Sequence, residues 1–149
     1  MALPSSVASV EEICNLAFDA CGYPQSIGSI LEGSKGARIA LRLYGQTRDA
    51  LLRAKDYTFA ERVTTLVTNG QTAPEPWLYE YTWPSDCLKI RQVYPLNPGT
   101  FPILDPRPQL QTDYNDGRTT PASKAILANI SPAALVYTGQ ITDFTTWDP

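Results

Sequence analysis

Leu51-Leu52-Arg53-Ala54-Lys55-Asp56-Tyr57-Thr58-Phe59-Ala60-Glu61-Arg62-Val63-Thr64-Thr65-Leu66-Val67-Thr68 decides the fold class, because two kinds of order meet inside it. Up to about Lys55 the apolar residues recur at helical spacing. From Phe59 onward β-branched residues dominate and read as a strand, closed by a turn at Asn69-Gly70. A helical segment followed by a run of strands places the chain in the α+β class.

Working back toward the N-terminus, Ser34 opens the long helix that ends near Lys55. At 100° per residue, Ala37, Ala40, Leu41, Leu43, Tyr44, Thr47, Leu51, Leu52 and Ala54 share one broad side. Lys35, Arg38, Arg42 and Arg53 gather opposite, with Arg48 and Lys55 flanking the apolar side. That apolar arc is wider than one partner helix needs, so the helix is either central in a bundle or meets another subunit. Before it, Ser9-Val10-Glu11-Glu12 is a capping box, and Val10, Ile13, Cys14, Leu16, Ala17 and Cys21 repeat at helical spacing. Gly22 and Pro24 end this first helix. The loop from Tyr23 to Gly33 is expected to fold Ile27, Ile30 and Leu31 back onto the helices.

Toward the C-terminus, Trp77, Tyr79 and Tyr81 alternate as on a strand with one aromatic face, more core than interface. Alternation puts Glu80 on the opposite face, where it reads as an exposed strand charge. Leu88 to Tyr94 alternates again, with Leu88, Ile90 and Gln92 on one face. From 95 to 123 the chain carries Pro95, Pro98, Pro102, Pro106, Pro108 and Pro121, and reads as an extended arm. Lys124–Asn129 and Ala133–Gly139 are expected to form a hairpin around Ser131-Pro132, and the tail carries Phe144 and Trp147. The expectation is one domain over 1–149: a helical bundle at 9–55, short antiparallel strands at 59–94 and 124–139, and a long Pro-rich arm at 95–123.

Composition narrows the function. Hydrophobic residues make up 43 % of the 149 and charged residues only 18 %, a bias toward surfaces hidden against partners. The net charge of −3 argues against a general nucleic-acid binder. Charge is segregated: residues 1–33 hold four acids and no base, 34–62 seven bases and three acids, 63–149 five bases and eight acids. Such signs can be matched across an interface between subunits. No stretch reaches the ~20 apolar residues of a membrane span. Met1 to Val10 lacks the basic and apolar segments of a signal peptide, so a cytoplasmic product is expected. Cys14 and Cys21, seven apart on a helix and so about 10.5 Å along it, are too distant for a disulfide; with Cys87 they read as buried, reduced thiols.

The absence of histidine removes Ser-His-Asp, Cys-His and most zinc arrangements together. No catalytic, cofactor-binding or metal-ligating residue is assigned. Paired carboxylates could still cleave a glycosidic bond, with Glu11, Glu12, Asp19 and Glu32 available; helix-end charge and solvated surface explain them more simply. Gly33-Ser34-Lys35-Gly36 lacks the Gly-Lys-Ser/Thr of a phosphate loop and reads as an N-cap. The basic helix face could touch a nucleic-acid backbone, but inter-subunit ion pairs or a solvated face are the commoner reading.

Four segments in order resemble the head-to-tail adaptor family of tailed bacteriophages, also called tail accessory or tail tubular proteins. They are Ile13-Cys14-Asn15-Leu16-Ala17 through Gly22-Tyr23-Pro24 to Ile27 and Ser29-Ile30-Leu31-Glu32; Tyr44 to Arg53 running into Asp56-Tyr57-Thr58-Phe59-Ala60; Trp77-Leu78-Tyr79-Glu80-Tyr81-Thr82-Trp83-Pro84-Ser85-Asp86-Cys87-Leu88-Lys89-Ile90; and Ile126-Leu127-Ala128-Asn129 with Ala134-Leu135-Val136-Tyr137-Thr138, closing on Asp143 and Trp147-Asp148-Pro149. Tyr57 stands where the family commonly has Trp, and Lys89 replaces its usual Arg. Family members continue past Trp-Asp-Pro into a further helix, whereas this sequence stops at Pro149.

The resemblance implies a non-enzymatic virion protein at the head–tail junction, made in the host cytoplasm. It implies a homo-oligomeric, typically twelvefold ring on the portal protein that meets tail or nozzle proteins. Genomic DNA would pass through without specific binding, and no membrane or cofactor is involved. Lys35, Arg38, Arg42, Arg53, Phe101, Tyr114, Phe144 and Trp147 are the candidate subunit or portal contacts. The alternatives are a virion-associated peptidoglycan hydrolase using the N-terminal carboxylates, and a small nucleic-acid-binding module using Arg38, Arg42 and Arg53.

Overall fold

A computed structural model of the chain describes residues 9–96, 110–116 and 123–143, with 110–116 and Ser123 described by their backbone alone. The chain is α+β, with two helices and two small antiparallel sheets among the described residues. The described residues divide into two compact units, one from 9–59 and 141–143, the other from 60–96, 110–116 and 123–140.

In the first unit, helix α1 (Val10–Ala20) starts where the Ser9 hydroxyl accepts the Glu12 amide at 3.1 Å. It ends in a Schellman arrangement: Tyr23 N–H donates to the Phe18 carbonyl and Gly22 N–H to that of Asp19. Gly22 sits at φ 71°, a conformation side chains resist. Helix α2 (Lys35–Ala54) is capped by the Ser34 hydroxyl, which accepts from the Ala37 amide. The core here is small. Cys14, Ile27, Ala37 and Ala40 are buried together, with Val10, Phe18, Ile30 and Tyr44 packed against them.

A single 3₁₀ turn, Thr58–Ala60, separates α2 from β1 (Glu61–Thr65), so the expected strand starts two residues later than the β-branched pattern suggests. The remaining strands are β2 (Tyr79–Thr82), β3 (Cys87–Pro95), β4 (Leu110–Asp116), β5 (Ser123–Ala128) and β6 (Ala133–Gly139). One sheet has the order β1-β6-β3 and the other β2-β5-β4, all antiparallel. Beyond β1 the chain crosses to the second sheet, where Thr68 bridges Tyr81 and the Thr82 amide donates to the Val67 carbonyl. Leu66, Tyr81, Ile126, Leu135 and Tyr137, drawn from both sheets and this crossing, close one core.

Several expectations are corrected by this topology. Lys124–Asn129 and Ala133–Gly139 are not a hairpin: β5 and β6 are the central strands of different sheets. Each already has both edges taken by other partners, so neither has an edge left for the other. Part of the expected arm, 110–116, is strand β4, pairing with β5 from Leu110 opposite Ala128 to Asp116 opposite Ser123. The rest of that arm, 97–109 and 117–122, lies outside the described residues. Glu80 is not an exposed charge but only 1 % exposed; β2 has both faces covered, and Asn69 Nδ2 donates to its carboxylate at 2.6 Å. In β3, register shifts at Cys87/Lys89 and Ile90/Gln92 break the expected alternation. Ile90 and Val93 therefore pack on the core while Gln92 is exposed.

The Pro84-Ser85-Asp86-Cys87 segment is the corner where β3 begins. The Tyr137 hydroxyl donates to both carboxylate oxygens of Asp86, at 3.0 and 3.2 Å, and the Gln140 amide donates to the Asp86 carbonyl. Burial first, then this hydrogen bond and the Asp86 charge, push the Tyr137 hydroxyl up to about 12. Trp83 Nε1 donates to the carbonyl of Cys87, a buried thiol, and Lys124 lies over the Trp83 ring at 4.9 Å. Tyr81 donates to the Ile130 carbonyl at 2.6 Å, while Tyr79, stacked at 6.2 Å from it, faces partly outward.

Candidate assembly surface of the helical unit

The connection between the helices is short, rich in Gly and Ser, and held by three side chains. Asn15 brackets Ile27 from both sides, accepting from its amide at 2.8 Å and donating to its carbonyl at 3.0 Å. Glu11 accepts the Ile30 amide at 3.2 Å. Glu32 accepts from the Gly28 and Ser29 amides through one oxygen and from the Ser34 hydroxyl at 2.6 Å through the other. Backbone hydrogen bonds lower the Glu11 carboxyl below its ordinary range, and the Ser34 bond followed by the Gly28 bond lowers that of Glu32. Both carboxylates therefore hold the loop as anions, and neither has the raised pKa of a general acid.

Two residues of this loop turn inward and one does not. Ile27 is buried and Ile30 packs on the small core. A Cβ on Gly36 would meet Ile27 at 3.1 Å, so that glycine lets the loop lie close on α2. Leu31, expected to fold back with them, is 79 % exposed. The hydrogen bonds that fix the backbone on either side also fix its outward direction.

Between α1 and α2 runs an apolar groove of about 450 Å³, with Ile13, Ala17 and Cys21 on one wall and Ile39, Leu43 and Thr47 on the other. The Tyr44 hydroxyl is buried there without a hydrogen-bond partner among the described residues. Leu16 on α1 and Leu41, Leu43 and Leu51 on α2 are exposed. The wide apolar arc read from the sequence is thus only partly covered: Ala37, Ala40 and Leu52 are buried and the rest is not. Cys21, expected buried, is exposed at the edge of this groove, whereas Cys14 is buried; all three cysteines are free.

Of the candidate contact residues, Lys35, Arg38, Arg42 and Arg53 are all exposed on α2. Arg48 is instead turned to Asp49 at 2.8 Å and to the Tyr44 ring. Tyr114 has its backbone in β4 opposite Ala125. Phe101, Phe144 and Trp147 lie outside the described residues. Neither a family model nor a curated protein matches the chain. The case for a function therefore rests on the residues themselves.

Among the described residues no three His, Cys, Asp or Glu side chains come together as a metal site would require. No helix among them is long and apolar enough to cross a membrane. Leu31 is the residue that pattern reading missed. The only sequence signal for it was an apolar residue inside a Gly- and Ser-rich loop.

Proposed function

We propose that the protein is a virion structural subunit, a ring-forming adaptor that joins the portal of a phage head to its tail and extends the DNA channel. The observation that carries this reading is the uncovered apolar surface of the helical unit: the groove and the exposed Leu16, Leu31, Leu41, Leu43 and Leu51. Contiguous exposed apolar surface, as in this groove, marks protein contacts rather than chemistry. Charge supports it, because α1 carries Glu11, Glu12 and Asp19 with no base while α2 carries five bases and one acid. A ring requires one face of each subunit to meet a different face of the next, and segregated charge sets that order.

The competing hydrolase reading loses two of its carboxylates to the loop, since Glu11 and Glu32 are engaged by backbone amides. Electron microscopy of the purified protein, alone and mixed with portal rings, tests the adaptor reading. Discrete rings seated on the portal are expected. A monomer that ignores the portal would contradict it.

A further inference from the structure

Asn69-Gly70 closes the turn beyond β1, and the asparagine side chain reaches a buried acid. Asn69 is the one asparagine of the chain followed by glycine; Asn15, Asn97, Asn115 and Asn129 precede Leu16, Pro98, Asp116 and Ile130. Glycine has no side chain to keep its amide nitrogen away from the side-chain carbonyl before it, and asparagine is among the thermolabile residues. The dipeptide lies in a bend between β1 and β2, outside both, and Gly70 is exposed with open space where a Cβ would stand. The Gln71 amide donates to Asn69 Oδ1 at 3.0 Å, which draws electrons away from Cγ. At the other end of the same side chain, Nδ2 donates to the Glu80 carboxylate at 2.6 Å, and the Asn69 amide donates to the Glu80 carbonyl at 3.2 Å. Together with the Thr68–Tyr81 bridge, these bonds fasten the crossing between the sheets to β2.

We infer that Asn69 is a site of spontaneous deamidation in the folded chain, and that the modified residue loosens this crossing. The Gly70 amide nitrogen bonds to Asn69 Cγ and closes a cyclic succinimide. The proton it loses passes through solvent to the departing Nδ2, which leaves as ammonia. Water then opens the ring at either carbonyl, giving aspartate or isoaspartate at 69, so that water is consumed and ammonia released with no change of oxidation state. Both products remove the Nδ2 donor from Glu80, which is only 1 % exposed. Aspartate also sets a second carboxylate where the hydrogen bond had been, and like charges at that distance repel. Isoaspartate lengthens the main chain at the residue whose amide meets the Glu80 carbonyl. None of this depends on how the chain assembles.

Peptide mass mapping of the purified full chain, kept folded in warm, mildly alkaline buffer, tests the chemistry. The peptide carrying Asn69-Gly70 is expected to gain the deamidation mass and split into aspartate and isoaspartate peaks, ahead of the Asn15 and Asn129 peptides. Asn69 still unmodified in the folded chain, after the same chain unfolded in urea has reacted there, would overturn the inference. Urea melts test the consequence. Asn69→Asp is expected to lower the folded-to-unfolded ratio about tenfold at neutral pH, the effect of losing a hydrogen bond to a charged group. Adding Glu80→Gln lets the new amide donate to the new carboxylate, so the double variant is expected to be more stable than Asn69→Asp alone. Asn69→Asp as stable as wild type would overturn the inference, and so would a double variant that loses the sum of the two single changes.

Discussion

The two units bury their apolar residues to different extents. The β unit builds the larger core: Tyr81, Ile126, Leu127 and Leu135 are fully buried and its central strands β5 and β6 are covered on both faces, while Val63, Val67, Leu78 and Leu96 stay exposed at its edges and turns. The helical unit builds a small core from Cys14, Ile27, Ala37 and Ala40, buries Leu52, and leaves Leu16, Leu31, Leu41, Leu43 and Leu51 exposed. Under the proposed function, the β unit supplies stability and the helical unit supplies contact surface.

The largest expected effect tests that division. Leu135→Ala should lose about 2–5 kcal/mol in denaturant unfolding, because a buried leucine leaves both lost burial and a cavity. Leu43→Ala, on the groove wall, should stay within about 0.5 kcal/mol for the isolated subunit. A Leu43→Ala loss as large as that of Leu135→Ala would break the comparison.

Next in size is the loop clamp. Asn15→Ala leaves the amide and carbonyl of Ile27 without their partner and should cost about 1–3 kcal/mol. Hydrogen exchange at the Ile27 amide should quicken at the same time. Unchanged exchange there would mean that the loop is not held by Asn15.

Smallest at neutral pH is Tyr137→Phe, about 1 kcal/mol for one hydrogen bond. Its sharper form is alkaline. The Tyr137 hydroxyl is raised to about 12 in the fold against about 10 in an unfolded chain. Its contribution is therefore complete below about pH 10 and is lost as pH rises toward 12, where the unfolded chain ionises first. Wild type should lose stability more steeply than Tyr137→Phe across that interval, read by urea melts at successive pH values. Parallel curves would show that the Tyr137 hydroxyl is not raised in the fold.

Local order was legible in the sequence and distant pairing was not. The Ser9 cap, the Gly22 stop and both helix periods are set by residues within a turn or two of each other, and each appears as read. Sheet partners are chosen by residues far apart in the chain. The apolar runs of β5 and β6 therefore announced strands but not that they belong to different sheets. Glu80 was misplaced because alternation gives a side chain's face and not what lies over it; Asn69 does. At the candidate surface, the basic face of α2 was visible from spacing. The outward turn of Leu31 was not, because it depends on Asn15, Glu11 and Glu32 acting together on the loop backbone.

The central claim, that the helical unit is the assembly surface, is tested most directly by hydrogen exchange on the subunit before and after assembly. Slower exchange across residues 27–47 with unchanged β5 and β6 amides is the predicted result. Protection confined to the β unit in the assembled form would contradict it.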